Sequence, residues 1–153
     1  MRLWRLVRAP FVALDGRGAE RHGARYSPAG KRVVNFASEP GLSVLVALRY
    51  LPDDPADRAD DFLLGWTEVD ACPERMPEVG DDDAIRAWVG DWLDARRSLL
   101  AARASRVLPE GDIVLMNPRH PDAMSIAPLT TRPFDFDSCL HRPPMLDVYR
   151  SKE

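Results

Sequence analysis

DGRGAERHGARYSPAGKRVVNFASEPGLSVLVALRYL, residues 15–51, is the stretch on which the fold turns. Its first half, 15–32, carries Gly16, Gly18, Gly23, Gly30 and Pro28, a density of breakers that predicts a loop without long regular structure. A loop of this length in a small domain is usually functional, and this one holds Arg25 and Tyr26 near its middle. RVVNFA, 32–37, then reads as a short strand. Ser38-Glu39-Pro40-Gly41 opens a helix running to about residue 50, because Pro is tolerated in a first helical turn. Its apolar positions Leu42, Leu45, Val46, Leu48 and Leu51 have helical spacing and face a core, and Pro52 stops it. No strand leads straight into a helix around the glycines of 15–32, so a doubly wound dinucleotide fold is not expected.

Upstream, RLWRLVR at 2–8 alternates and predicts an opening strand. Residues 53–61 form an acidic, solvated loop, and 62–69 a buried strand. The clearest helix covers 82–97. Asp81, Asp82 and Asp83 sit at its start, where carboxylates satisfy free amides, and Ile85, Trp88, Val89, Trp92 and Leu93 make one apolar stripe. Both tryptophans read as core anchors. Short strands are expected at 99–107, 112–116, 123–127 and 134–137, with a turn at NPRHPD, 117–122. Many short strands with two helices among them predict a compact α+β domain with a partly antiparallel sheet, one domain over 1–153.

Composition narrows the function classes. The chain has 153 residues, 45% hydrophobic and 29% charged, with net charge −3, a balance typical of a soluble globular domain. No apolar run approaches the length of a bilayer span and the N-terminus lacks an unbroken apolar stretch, so neither a membrane segment nor a secretory signal is expected. No basic run marks a nucleic-acid groove. Cys72 and Cys139 lie far apart and read as free thiols in a reducing cytosol. His22, His120 and His141 occupy separate segments, so no metal site is expected. Walker, GxSxG, HExxH and strand-linked GxGxxG motifs are absent.

Four blocks taken in order carry a family pattern: LWRLVR (3–8), the 15–51 stretch, ASRVLPEGDIVLMNPRHPDAMSI (104–126) and FDFDSCL (134–140). HGARYSPAG (22–30) and NPRHPDA (117–123) are the most specific parts. Together they resemble the RES domain, named for an Arg, a Glu and a Ser, over about residues 3–140. The resemblance implies a fold like that of the ADP-ribosyltransferase toxins and NAD as the substrate. It also implies a cytoplasmic toxin of a toxin–antitoxin pair that passes ADP-ribose to a protein, water or phosphate. The implied partner is an antitoxin with a helix-turn-helix DNA-binding domain.

Carried over by position, the family Arg falls on Arg25, the aromatic after it on Tyr26, and the Ser on Ser105. The family Tyr falls on Phe36 if one extra residue sits near Lys31-Arg32, and the Glu falls on Val46. Cys139 stands where the family commonly has Arg. Arg25 and Ser105 are thus the expected catalytic pair, and Arg25, Tyr26, Phe36 and Ser105 the expected NAD contacts. Val46 supplies no carboxylate, so Glu39 is taken as the substitute acid. Asp53, Asp54 and His22 stand behind it, and a group lent by a partner protein is a further source. Singly, each has a plainer reading: a surface Arg in a glycine-rich loop, a strand Ser, a Glu opening a helix. Two other readings follow from the same residues: a RES domain that has lost catalysis and only binds, and an ordinary interaction domain. Free nicotinamide after incubation with NAD separates the first reading from both.

Overall fold

The computed structural model describes residues 1–78 and 80–140; His141 lies outside them. In chain order they form strand β1 (Arg2–Arg8), helix α1 (Arg17–His22), strand β2 (Val34–Ala37), helix α2 (Pro40–Leu48), strands β3 (Phe62–Glu68) and β4 (Glu74–Arg75), helix α3 (Asp82–Ala95), strands β5 (Leu100–Ala104), β6 (Asp112–Met116) and β7 (Thr130–Pro133), and helix α4 (Phe136–Leu140). The strands make one mixed sheet ordered β4-β5-β6-β2-β1-β3-β7. Only β4 and β5 run parallel; every other neighbouring pair is antiparallel. The expected α+β class and partly antiparallel sheet are therefore present.

Residues paired across antiparallel strands share a face, and alternate residues take opposite faces. The registers Trp4↔Ala37, Asn35↔Leu115, Ala37↔Ile113 and Ala101↔Leu115 define one face. It packs under the α3 stripe of Ile85, Val89, Trp92 and Leu93, all fully buried. The other face collects Leu3, Val34, Phe36, Leu100, Ala102, Val114 and Met116 into a second core. α3 begins as its sequence directs, since the Asp81 side chain accepts from the Asp83 amide at 2.9 Å. It ends at Arg96, whose φ of +50° lets its N–H reach the Trp92 carbonyl.

Trp92 buries its ring yet still needs a partner for its indole N–H. That group donates to Ser98 Oγ at 2.8 Å, and the Ser98 hydroxyl lies 2.9 Å from Glu74 Oε2. Ser98→Ala strands a buried donor and is expected to cost about 1–3 kcal/mol, read as a lowered denaturation midpoint with an unchanged m-value.

Three expectations differ from the structure. Residues 15–32 contain the six-residue helix α1, which Gly23 ends: at φ +67° its N–H reaches the Ala19 carbonyl. Residues 123–127 are not a strand; Pro121–Ser125 is a 3₁₀ turn, begun by His120 Nδ1 accepting from the Asp122 amide. The alternation of FDFD does not make a strand at 134–137 either. Asp135 takes the Asp137 amide and the Ser138 hydroxyl and so starts α4, and the neighbouring strand lies earlier, at β7. Local side-chain capping overrides period-two patterning there.

Several surface carboxylates sit below their ordinary titration range. Asp61 is held down chiefly by its hydrogen bonds from Arg8, Asp94 by those from Lys31 and Arg119, and Asp135 by that from Ser138. A carboxylate whose folded pKa lies below its unfolded value contributes stability above the unfolded value. That contribution is lost as pH falls through the folded one. The melting temperature is therefore expected to hold from neutral pH to about 5 and to fall below about pH 4, which scanning calorimetry across pH checks.

Candidate active site

Gly23 releases the chain from α1 into a tight reversal in which Ala24 and Ser27 exchange backbone hydrogen bonds of 3.4 and 3.3 Å. Arg25 and Tyr26 are the two residues at its tip. Tyr26 turns inward, is 7% exposed and belongs to the core under α3. Its ring is a platform for two guanidiniums: Arg103 lies 4.9 Å and Arg25 5.9 Å from its centroid, within cation–π range. Arg25 Nε also lies 3.4 Å from Asp82 Oδ2 in the first turn of α3.

At the far end of β5 the chain leaves the sheet at Ser105. This residue is 3% exposed, and its amide bonds the Gly111 carbonyl. Its Oγ accepts from the amides of Val107 and Leu108 at 3.2 and 3.4 Å. That shapes the loop and leaves the hydroxyl hydrogen to donate elsewhere. Arg106 follows and reaches Asp82 Oδ1 at 2.7 Å.

These segments border one cleft of about 450 Å³, in the range of small-molecule sites. Its floor is the α3-side face of β1, β2 and β6, where Trp4, Leu6, Asn35 and Ile113 lie. The walls are the Arg25–Tyr26 turn, Ser43, Val46 and Ala47 of α2, and residues 105–107. Tyr50, 68% exposed, stands on its rim. A wider concavity of about 780 Å³ adjoins it across Arg25 and includes His22 and Asp82.

Arg25, Tyr26, Ser105 and Val46 thus meet at one cleft. Two expected site residues are placed differently. Phe36 borders the cleft along β2, but its side chain belongs to the second core with Val34 and Val114. Strand alternation puts its neighbour Asn35 on the cleft face. Without an extra residue near Lys31-Arg32, the family Tyr position falls on Asn35. Glu39 is exposed, precedes α2 and is not among the residues lining the cleft. Asp53 and Asp54 are likewise exposed and outside it. Val46 does not face a core as its helical spacing suggested; it is half-buried in the cleft wall. Among the described residues, none that lines the cleft carries a carboxylate.

Sequence reading missed Asp82 and Arg106. Burial works to raise the Asp82 pKa, but Arg106, Arg25 and Arg86 outweigh it and hold the carboxyl below its usual range. In the sequence Asp82 reads only as a helix-start carboxylate, and no local spacing links it to Arg25 or Arg106. NPRHPDA is structural: Asn117, fully buried, donates to the Leu93 carbonyl at 2.9 Å and accepts from the Arg119 amide at 3.0 Å, tying β6 to the end of α3. Among the described residues no three His, Cys, Asp or Glu side chains gather as metal ligands. Cys72 and Cys139 are free and exposed. No described helix is long and apolar enough to cross a membrane.

The sequence matches one family along nearly its whole length. The RES domain model matches residues 2–137, and the chain belongs to the RES domain family. Among its relatives is "Toxin Res" of Pseudomonas putida, 31% identical over 92% of this chain and 99% of that protein. Another is the "Prs ADP-ribosylating toxin" of a Sphingobium species, 30% identical over 81% of this chain and 84% of that one. The fold is also that of a chain in the crystal structure of the M. tuberculosis MbcT–MbcA toxin–antitoxin complex. The TM-score is 0.68 at 13% identity, covering 87% of this chain and 83% of the other.

Proposed function

We propose that this protein is the toxin of a toxin–antitoxin pair, that it binds NAD in the Arg25–Ser105 cleft, and that it passes ADP-ribose to a protein target. The observation that carries the reading is the meeting of Arg25 and Ser105, far apart in sequence, at one cleft with an aromatic platform beneath the arginine. The names of the relatives support the toxin class and an ADP-ribosylating activity. A cytoplasmic location and an antitoxin partner, with a helix-turn-helix DNA-binding domain of its own, complete the proposal.

The residues present suit NAD. Arg25 offers a planar, permanently charged donor fork to the pyrophosphate. Trp4 on the floor and Tyr50 on the rim give flat apolar surface for rings. Ser105 has a hydroxyl hydrogen for the nicotinamide amide or a ribose oxygen. In the transfer, the bond from ribose C1′ to the nicotinamide nitrogen breaks and its electron pair leaves with neutral nicotinamide. A lone pair of the acceptor forms the new bond to C1′, and the acceptor gives up a proton. Positive charge builds on the ribose at the transition state, and a carboxylate would stabilise it. Among the described residues no carboxylate lines the cleft, so in this reading the target protein lends that group and the free chain releases nicotinamide slowly.

A second reading, a RES domain that binds without catalysing, is favoured by Val46 and by the same missing carboxylate. Incubating the purified protein with NAD labelled on its adenylate half, alone and with cell extract, distinguishes them. Label transferred to a protein, with slow nicotinamide release by the protein alone, supports the transferase. NAD binding with neither product supports the binder, and absence of NAD binding rejects both.

A further inference from the structure

Arg25 and Arg106 arrive at the cleft from separate loops, yet their guanidiniums converge on the two oxygens of a single carboxylate. Arg25 Nε is 3.4 Å from Asp82 Oδ2, and Arg106 Nη2 is 2.7 Å from Asp82 Oδ1. Both arginines line the cleft, whereas Asp82 lines only the adjoining concavity. Two guanidiniums placed to share the oxygens of one carboxylate are also placed to share those of a phosphate, because arginine pairs with both anions in the same donor geometry. We propose that Arg25 and Arg106 form a two-arginine receptor for the diphosphate of a dinucleotide, and that Asp82 is its resident counter-anion, which the ligand displaces.

The surroundings support a receptor over an ordinary surface ion pair. Arg103 stacks on the Tyr26 ring that also carries Arg25, and its buried Nε and Nη1 have no hydrogen-bond partner among the described residues. Positive charge around the Arg25–Tyr26 turn therefore exceeds what Asp82 neutralises. The Arg106–Asp82 contact is an ion pair without hydrogen-bond geometry, which leaves the buried Asp82 Oδ1 without a hydrogen-bond donor, and among the described residues Arg106 donates only to the Gly80 carbonyl at 3.3 Å, so it can turn to a ligand at little loss. The Asp82 carboxylate is about a quarter exposed and has the adjoining concavity to swing into. The arrangement also specifies the ligand: a diphosphate bridge meets both arginines, and an uncharged nucleoside meets neither.

This inference rests on the proposed NAD site, and the test separates the two. ADP-ribose, inorganic pyrophosphate and adenosine are titrated calorimetrically into the wild-type protein, Asp82→Asn, Arg106→Gln and the double variant, with a melting curve for each. Removing the competing carboxylate is expected to tighten ADP-ribose and pyrophosphate about tenfold in Asp82→Asn, and losing Arg106 to weaken them at least about tenfold. The Asp82→Asn gain should shrink to less than about threefold in the Arg106→Gln background, and adenosine should be unaffected throughout. Asp82→Ser, which keeps a small polar residue at the helix start, replaces Asp82→Asn if the latter melts early. Unchanged or weaker ADP-ribose and pyrophosphate binding by a folded Asp82 variant overturns the inference even where NAD binding itself holds. The expected pattern with pyrophosphate, in a protein that binds neither NAD nor ADP-ribose, keeps the receptor and removes the NAD reading.

Discussion

Arg25→Ala is expected to abolish growth arrest by the protein expressed alone and to leave its soluble yield intact. Arg25 sits at the tip of a two-residue reversal whose backbone bonds do not involve its side chain. Its ion pair with Asp82 is partly exposed, at 32% and 28%, and such a pair contributes little to folding. Ala tolerates the same backbone, so the fold should persist. Substrate capture is another matter. Each charge-assisted bond from the guanidinium is worth about 1.5–3 kcal/mol, so losing two weakens NAD binding about 10²- to 10⁴-fold. Growth curves at matched soluble levels check the outcome. Equal toxicity of wild type and variant removes Arg25 from the site.

Val46→Glu is expected to raise nicotinamide release by the free protein about 10²-fold, the lower end of what a placed acid or base contributes. Val46 is half-buried in the cleft wall on α2, beside Ser43 and Ala47. A glutamate there meets the open cleft instead of a closed core, which spares most of the several kcal/mol that burying an isolated carboxylate costs. Pairing it with Asn35→Tyr restores a hydroxyl on the cleft floor and should raise the rate further. Phe36→Tyr should not, because Phe36 is packed in the opposite core. A folded Val46→Glu protein with unchanged nicotinamide release would show that the position does not face the reacting ribose.

The fold was legible where pattern and local chemistry agreed. The α3 stripe, its Asp81 cap, the Pro40 start of α2 and the alternation of β1 each point one way, and each is present. Reading failed where two local signals competed. In residues 134–137 the alternation of two phenylalanines and two aspartates suggests a strand, but the Asp135 side chain captures the next turn's donors and starts a helix. Arg25 and Ser105 stood out only through the order of the family pattern, since an Arg in a glycine-rich loop and a Ser at a strand end are ordinary by themselves, and the fold brings both to one cleft. Asn35 was missed for Phe36 because a one-residue shift in a strand exchanges faces, and only the register against β1 and β6 resolves it. Asp82 and Arg106 were not legible because their meeting with Arg25 depends on how three separate segments pack.

Whether the Arg25–Ser105 cleft holds the dinucleotide is decided by a crystal structure of the protein with ADP-ribose. The expected structure has the diphosphate within hydrogen-bonding distance of both Arg25 and Arg106, the Asp82 carboxylate turned away, and the distal ribose lying between Ser105 and Val46. Density for ADP-ribose elsewhere on the protein, with Arg25 and Arg106 still closed on Asp82, would contradict it.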